Sequence, residues 1–448
     1  MHFSYRRAAA ALLLAFALAP VAGSAAAGGT TLSPANVADI SISFDHLLKN
    51  FYKPVNQQQV LNGTRASLLA SLKKIGVHGN LPVLHAGSNT TLELSQIDHE
   101  IEAAAHQTHG KLSVNTLSYA ALSGMMQSVH DRWTVFLDPK DFSQLNQALD
   151  GVNFGGTGIV IQKDTKTKFI EVTSVIPHAP ADKAGIRQGD LITAVNGAST
   201  RRMTIQEASK HLRGKIGTTV TLTIQRDGKL LAPIIITRAK IHAVSVYSRM
   251  LPHKIGYVEL SVFGETTGHE LAVALAQLQK EGARAIILDL RDNGGGYLQA
   301  ALSVSSKFIS SGPIVSIESR GSNVTTLEAN DTAISPPLPL AVLVNGNTAS
   351  ASEITSGAIQ DTGVGVIIGT KTFGKGVVQT IYRLPGKSAV KITTARYLTP
   401  LGRYINHRGI IPDIVVHENK HPRYGQPAHD AQLRRAMQYL EDRLAHSA

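Results

Sequence analysis

The spacing of apolar residues divides the chain into stretches of different character. In the first, residues 28–148, apolar side chains recur at intervals of three and four in VLNGTRASLLASLKK and again in YAALSGMMQSV. This spacing places them on one face of a helix. We therefore predict a helical N-terminal region, in which the likeness of the two pieces suggests an internal repeat.

In residues 149–240 the pattern changes to short alternating or apolar runs, which are typical of strands. Asn196-Gly197 and Asp227-Gly228 favour tight hairpin turns. One helix is predicted between them, over IQEASKHLRGK. The segment should be a β-rich domain with strands in GTGIVI, KFIEVTSVI, DLITAVNG and TVTLTIQRDGK.

Residues 241–418 alternate between predicted strands and helices: AIILDL precedes YLQAALSVSSKFI, and PLAVLVN precedes SEITSGAIQD. This alternation indicates an α/β layer with parallel strand pairing. The C-terminal tail, residues 419–448, contains an amphipathic helix whose apolar face carries Leu433, Met437, Leu440 and Leu444. The predicted fold class is therefore multidomain, α+β or α/β.

The N-terminus has the pattern of a secretory signal peptide. A basic start with Arg6 and Arg7 is followed by an apolar run from Ala8 to Ala19 and then by small residues. We predict that residues 1–27 are a signal peptide cleaved near residues 25–28, and that the protein is exported to a bacterial periplasm or cell envelope. The run is short for a bilayer span, so an uncleaved membrane anchor is the lesser alternative.

Composition excludes several function classes. The net charge is +12, but the basic residues are dispersed and form no stripe with interleaved aromatics, which argues against nucleic-acid binding. The chain has no cysteine, so it forms no disulfide and offers no thiolate to a structural zinc ion. Its eighteen histidines include no H-E-x-x-H motif. We predict neither a metal site nor a cofactor.

The segment GTKTFGKG, residues 369–376, nearly matches a phosphate-binding loop. Gly369, Gly374 and Lys375 have the required spacing, but Gly376 stands where a hydroxyl would bind magnesium. The following GVVQTIYRLPG predicts a strand, whereas a phosphate-binding loop opens a helix. We interpret Lys375 as a residue with a function other than phosphate binding. The glycines on either side of it would allow another backbone to approach closely. The alternative is a solvated lysine in a surface turn.

A serine lies upstream at the predicted start of a helix. Ser350 would sit beside backbone N–H groups and the positive end of the helix dipole, which favour an oxyanion. The alternative is that Ser350 and Glu353 form only a capping box. A serine nucleophile needs a base, and Lys375 can serve if burial lowers its pKa toward neutrality. Gln379 could orient the lysine amine if the chain bends between them, or it is an ordinary strand residue.

A glycine-rich loop supplies a third element. Asn293, Gly294, Gly295 and Gly296 follow a predicted buried strand and precede a helix. Backbone N–H groups in such a loop can turn toward an oxyanion. The alternative is a flexible turn.

Together these segments resemble the carboxyl-terminal processing peptidases, also called tail-specific proteases. The resemblance covers roughly residues 120–415 and is only loose in the first helical region. It departs from the family's pattern at Thr348, where serine is commoner. The matching pieces, in the family's order, are DLRDNGGG, NTASASEITSGAIQD, GTKTFGKGVVQ and ARYLTPLGRYINHRGIIPDIVV.

The resemblance implies a serine endopeptidase without metal or cofactor. It makes Ser350 the nucleophile, Lys375 the general base and Gln379 its support. The oxyanion donors it implies are the backbone N–H groups of Ala351 and of Gly295 or Gly296.

The resemblance also implies a PDZ domain inserted before an α/β peptidase core. Such a domain binds a substrate's C-terminus by backbone N–H groups while the peptide adds as a strand. The implied partners are proteins with accessible C-termini, with a membrane-associated adaptor or a homo-oligomer left open. The implied carboxylate-binding loop is Gly155, Gly156, Thr157, Gly158 and Ile159.

Two other functions stay as alternatives. A PDZ module on an inactive peptidase-like core would bind exported protein tails without cutting them. A Ser-His-Asp hydrolase would use His130 and Asp131, although the resemblance gives HDRWTVFLDP the role of a structural turn.

Overall fold

A computed structural model of the chain describes residues 30–149, 154–164, 167–176, 179–241, 244–321, 323–418 and 424–446. The predicted signal peptide lies outside these residues. Within them, no helix is both long enough and apolar enough to cross a bilayer.

The N-terminal region is helical, as its apolar spacing predicts. Four long helices begin with side-chain caps in which Ser33, Asn56, Asn89 and Ser113 each accept a hydrogen bond from a backbone N–H of the first turn. The elements are α1 Pro34–Asn50, α2 Gln57–Lys74, α3 Thr90–Gln107, α4 Val114–Gln127, β1 Val135–Leu137 and α5 Pro139–Leu149.

The next unit is rich in strands. Its elements are β2 Phe154–Gly156, β3 Ile159–Lys163, β4 Ile170–Val175, α6 Pro180–Lys183, β5 Leu191–Val195, β6 Ala198–Ser199, α7 Ile205–Leu212, β7 Thr219–Arg226, β8 Lys229–Leu230, β9 Ile234–Thr237 and β10 Ala239–Ile241. Asn196 and Asp227 have φ values of 49° and 50°, and each is followed by a glycine with positive φ. These are the hairpin turns that the sequence predicts.

The strand order in this unit places β3 at one edge of the sheet and β8 and β9 at the other. The sheet runs β3-β4-β5-β7-β8, with β6 on β5 and β9 on β7, so β3 lies at its edge. Helix α7 lies beside β3. Strand β2, the first of the unit, pairs with β10, the last.

The last part of the chain alternates strands and helices, as predicted. Its main sheet has the order β11-β12-β13-β16-β17-β20, parallel except for β11. The elements are β11 Val246–Leu251, β12 Ile255–Leu260, α8 Thr267–Lys280, β13 Ala285–Asp289, α9 Leu298–Ser305, β14 Pro313–Ser319, β15 Val324–Glu328, β16 Leu340–Val344, α10 Ala351–Thr362, β17 Val366–Gly369, β18 Val377–Arg383, β19 Ala389–Leu398, β20 Ile414–Val415 and α11 Ala431–His446.

A second sheet connects the N-terminal helical region to the last part of the chain. It has the order β1-β19-β14-β15, with β18 also paired to β19. Leu384, Val390 and Ile392 from the β18–β19 hairpin pack into the same apolar cluster as the N-terminal helices. The helical region therefore shares a core with the strands that follow the GTKTFGKG segment.

Helix α11 covers one face of the main sheet. Leu433 and Leu440 are buried in a cluster with strand residues, and Met437 and Leu444 pack against that cluster. The apolar face predicted for the C-terminal helix is confirmed.

Candidate active site

Ser350 occupies a strained turn between β16 and α10. Its backbone angles are φ 58° and ψ −117°, a region that residues other than glycine rarely adopt and that is associated with functional sites. Two hydrogen bonds tie this turn to the segment that contains the glycine-rich loop. The Thr348 hydroxyl donates to the Leu290 carbonyl at 2.8 Å, and the Ala349 N–H donates to the Asn293 carbonyl at 3.0 Å. Thr348 therefore supplies the hydroxyl that serine would supply.

Glu353 connects the serine turn to the lysine loop. Its Oε2 accepts the backbone N–H of Ser350 at 3.0 Å and that of Lys375 at 2.9 Å. Its Oε1 accepts the Gly374 N–H at 2.7 Å and the Thr372 hydroxyl. The side chain is fully buried, and burial raises its pKa against the lowering effect of these hydrogen bonds. The predicted capping residue thus holds two segments together.

Tyr397, from β19, makes a second connection between the same segments. Its hydroxyl donates to the Lys375 carbonyl at 2.6 Å and lies 3.2 Å from the Ser350 carbonyl. The ring is buried. Sequence reasoning gave Tyr397 no role, since only the fold brings β19 beside the two loops.

The glycines that flank Lys375 are required by packing. A Cβ on Gly374, whose φ is 86°, would lie 2.9 Å from the Gly409 nitrogen, and one on Gly376 would lie 2.6 Å from the Asn406 nitrogen. Any side chain there would push these backbones apart. The loop runs into strand β18, which confirms the predicted strand and leaves no helix for a phosphate.

The Lys375 amine has an unusually low pKa. Burial lowers it from 10.5 to about 7, and the positive charges of Lys391 and Arg132 act in the same direction. The negative charges of Glu353 and Asp131 oppose the shift. A lysine with such a pKa is substantially neutral at physiological pH and can accept a proton.

Gln379 lies on β18 next to a bulge between Val378 and Gln379. Bulges turn a side chain away from the regular alternation of a strand. The Gln379 amide donates to the Val377 carbonyl at 3.2 Å. Its support of Lys375 stays a prediction.

The glycine-rich loop lies directly against the serine turn. A Cβ on Gly295, whose φ is 95°, would come within 2.8 Å of the Ala351 nitrogen and of the Ser350 Cβ. The Gly295 N–H itself donates to Asn293 Oδ1 at 2.9 Å, while Gly296 packs against the backbone of Phe263. Ser350, Ala351 and Gly295 are therefore brought together; which glycine serves as oxyanion donor stays a prediction.

A buried ion-pair cluster lies where the chain enters this loop. The Arg291 guanidinium lies 2.6 Å from Asp289 and 2.8 Å from Asp430, which precedes α11. The Tyr257 hydroxyl donates to Asp289 at 2.6 Å. Sequence reasoning did not identify this cluster, because Asp430 is remote in the chain from the loop.

The His130–Asp131 pair lies in a turn that hydrogen bonds to Asp131 hold in place. Asp131 accepts hydrogen bonds from the hydroxyls of Thr134, at 2.7 Å, and Thr393. Its carboxylate thereby fixes the turn on β19. His130 is exposed at the start of this turn.

The predicted carboxylate-binding loop falls into two parts. Gly155 and Gly156 belong to β2 and pair with β10. Thr157 is buried, and its carbonyl accepts the Ala181 N–H at 2.8 Å. Gly158, with φ 79°, leads into the edge strand β3, so the turn into Ile159 is the part that adjoins the edge of the sheet.

Comparison with known proteins identifies two domains. Residues 254–416 match the model of peptidase family S41, and residues 171–226 match that of the PDZ domain. The mixed fold, with a PDZ domain before an α/β peptidase domain, is thereby confirmed.

Two relatives show the family. A probable CtpA-like serine protease of Staphylococcus aureus strain MRSA252 is 35% identical over 340 residues, 75% of this chain and 68% of that protein. A carboxyl-terminal-processing protease of a Picosynechococcus strain is 37% identical over 306 residues, 67% of this chain and 73% of that protein. The match to another staphylococcal relative, of strain RF122, spans 66% of its length, so the chain covers about two thirds of these relatives.

Two solved structures are also similar. The photosystem II D1 C-terminal processing protease is 26% identical, with a TM-score of 0.46 over 86% of this chain and 94% of that one, a score too low to add to the assignment. The tricorn protease, 15% identical with a TM-score of 0.53 over 92% of this chain and 37% of that one, shows the fold alone. By its sequence relatives and its two domains, the chain belongs to peptidase family S41, among the carboxyl-terminal processing serine peptidases that carry a PDZ domain.

Proposed function

We propose that this chain is an exported endopeptidase that cleaves proteins near their C-termini, with Ser350 as nucleophile and Lys375 as general base. The observation that carries the proposal is the shared acceptor: one oxygen of Glu353 takes the backbone N–H groups of both residues. Holding reacting groups in a fixed relation removes much of the entropic barrier of a reaction. The low pKa of Lys375, about 7, supports the role of base.

The reaction then proceeds in two halves. Neutral Lys375 accepts the proton of the Ser350 hydroxyl as its oxygen forms a bond to the peptide carbonyl carbon. The resulting ammonium returns the proton to the leaving amine, and the peptide bond breaks to give an acyl-enzyme. Lys375 next takes a proton from water, whose oxygen attacks the ester carbonyl, and the released serine oxygen regains a proton.

The oxyanion of each tetrahedral intermediate would lie at the start of α10. The Ala351 N–H is the first of that helix, where N–H groups have no partner within the helix and the helix dipole is positive. The second donor would be Gly295, released from Asn293 Oδ1, or Gly296. Gln379 would support the lysine amine after turning from the Val377 carbonyl.

Substrate capture is assigned to the PDZ domain. A substrate tail would add as a strand to β3 at the edge of the sheet, beside α7, with its carboxylate at the turn from Thr157 to Ile159. The domain boundaries in this proposal are 1–27 for the signal peptide, 28–148, 149–240 and 241–418 for the three units, and 419–448 for the tail. Export rests on the N-terminal sequence.

The test uses the full chain, produced with its leader and collected after export. An unstructured polypeptide with an apolar C-terminus should be cut near that end. Ser350→Ala and Lys375→Ala should reduce cleavage to background. Lys371→Ala, an exposed lysine in the same loop, is the matched control and should cleave normally. Cleavage that survives either active-site substitution would overturn the dyad; binding without any fragments from the unmodified protein would favour the adaptor alternative.

The role of the PDZ domain has its own test. A peptide with a free C-terminal carboxylate should inhibit cleavage competitively, and the same peptide with an amidated C-terminus should inhibit much less. Equal inhibition by both peptides would contradict capture through the carboxylate.

A further inference from the structure

The chain's only tryptophan lies against the amine of Lys375. The Nζ atom is 4.5 Å from the centroid of the Trp133 ring. Trp133 belongs to the turn between α4 and β1, far from Lys375 in sequence. The catalytic assignment described above gives this residue no role.

The indole ring is held by contacts on several sides. The Arg132 guanidinium carbon lies 4.5 Å from its centroid and 5.2 Å from that of Phe373. Phe373 meets Trp133 edge to face, with centroids 6.2 Å apart, and its N–H donates to the Thr348 carbonyl at 3.0 Å. The ring is therefore tied both to the lysine loop and to the serine turn.

The turn itself is fixed on the sheet that follows Lys375. Asp131 binds the hydroxyls of Thr134 and Thr393, and the Thr393 N–H donates to Thr134 Oγ1 at 3.1 Å. Thr393 lies opposite Gln379 in the β18–β19 ladder. Trp133 is thus placed by the same strands that carry the end of the lysine loop.

We propose that Trp133 is a positioning residue for the general base: its ring holds the Lys375 amine in place, shields it from water and thereby sets the protonation of that amine. This inference rests on the proposed role of Lys375. A ring face attracts a cation, which favours the ammonium, but it also removes water, which disfavours it. Since burial is the largest influence on this amine, loss of the ring should favour the protonated form.

Charged groups on β19, on α10 and in the turn that carries Trp133 also act on the amine. They are Lys391 on β19, Glu353 on α10, and Arg132 and Asp131 in the same turn as Trp133. Lys391 and Glu353 lie on other elements, whereas Arg132 packs on the Trp133 ring. Trp133→Phe keeps an aromatic face for Arg132 and Trp133→Ala does not, so the comparison of the two variants reports on the ring.

The test combines a pH profile with fluorescence. Trp133→Ala should move the midpoint of kcat/KM against pH upward by about one pH unit, because water reaches the amine. Trp133→Phe, which keeps an aromatic wall, should restore a midpoint close to that of the unmodified enzyme. His130→Asn, in the same turn, is the matched control and should leave the profile unchanged. The emission of the single tryptophan should titrate with a midpoint near pH 7 in the unmodified enzyme, and this transition should vanish in Lys375→Met.

The outcomes separate this inference from the proposed function. If Lys375→Met still cleaves substrate, the proposed base is wrong. If Lys375→Met is inactive but the fluorescence transition persists in it, or if Trp133→Phe shifts the midpoint as far as Trp133→Ala does, the role assigned to Trp133 is wrong. Should Trp133→Ala fail to fold, the fluorescence titration still decides the question, since it uses only the unmodified enzyme and Lys375→Met.

Discussion

Ser350 and Lys375 donate their backbone N–H groups to the same carboxylate oxygen, Oε2 of Glu353, at 3.0 and 2.9 Å. One residue starts a helix and the other precedes a strand, so neither element alone could fix their relation. The Tyr397 hydroxyl also connects the two residues, through their backbone carbonyl oxygens. These contacts hold the serine turn and the lysine loop in one fixed relation.

Glu353→Gln should damage both stability and activity. The amide offers one acceptor oxygen and an NH₂ donor in place of two acceptor oxygens, so some of the four donors around it lose their partners. Each buried donor left unpaired costs ~1–3 kcal/mol, and displacement of the dyad should lower kcat/KM about 100-fold. Denaturant unfolding and steady-state kinetics measure the two effects. Glu281→Gln, on the exposed end of α8, should change neither; an active, stable Glu353→Gln enzyme would show that the shared acceptor is dispensable.

Tyr397→Phe should have a smaller effect, since the buried ring remains. Loss of the hydroxyl removes the hydrogen bond to the Lys375 carbonyl, which should cost ~1 kcal/mol of unfolding free energy. We expect kcat to fall about tenfold with little change in KM, because the lysine loop is displaced by less than in the glutamate variant. Tyr439→Phe, on the C-terminal helix, is the control. A fall in stability without a fall in kcat would assign Tyr397 to the fold alone.

Gly295→Ala should abolish cleavage. Its φ of 95° disfavours alanine, and the new Cβ would lie 2.7 Å from the Ala349 carbonyl and 2.8 Å from the Ser350 Cβ. A Cβ on the neighbouring Gly294 would meet no atom within 4 Å beyond the adjacent residues. Gly294→Ala is therefore a matched control in the same loop and should keep near-normal kcat/KM. Similar activity in the two variants would mean that the loop does not approach the serine in the working enzyme.

Activity should rise with pH as Lys375 loses its proton. We expect kcat/KM to increase through a single ionisation near pH 7, the pKa that burial gives this amine, and to level off above it. A profile that is flat from pH 6 to 10 would contradict a lysine base when chemistry limits the rate.

The same ionisation of Lys375 should make the unfolding free energy depend on pH. The folded-state pKa of about 7 lies below the usual 10.5, so between these values the unfolded chain binds a proton that the folded protein lacks. The unfolding free energy of the unmodified protein should therefore rise with pH across this window relative to that of Lys375→Met. Parallel stability curves for the two proteins from pH 7 to 10 would show that the amine is not buried in solution.

Sequence reasoning succeeded where the physics is local. The strand, turn and helix around Ser350, the strand after Lys375 and the glycine turns at Asn196 and Asp227 all follow from spacing and backbone preference. The need for glycine beside Lys375 also follows, since close approach of two backbones leaves no room for a side chain.

The remaining parts of the site depend on contacts between distant segments. Glu353 has the sequence pattern of a cap, and its hydrogen bonds to the lysine loop become visible only when that loop is folded beside it. Tyr397 and Trp133 reach the site through strand pairing and a turn that no local pattern relates to Lys375. The bulge at Gln379 likewise arises from pairing with β19.

The most direct test of the dyad is covalent labelling of the serine. A fluorophosphonate reagent, which reacts with activated serine hydroxyls, should modify Ser350 in the unmodified enzyme at pH 8, as mapped by mass spectrometry of peptides. Lys375→Ala should slow this labelling at least about 100-fold, while Lys371→Ala should leave it unchanged. Equal labelling of Ser350 in Lys375→Ala, or an adduct on a different residue in the unmodified enzyme, would contradict the roles of Ser350 as nucleophile and Lys375 as base.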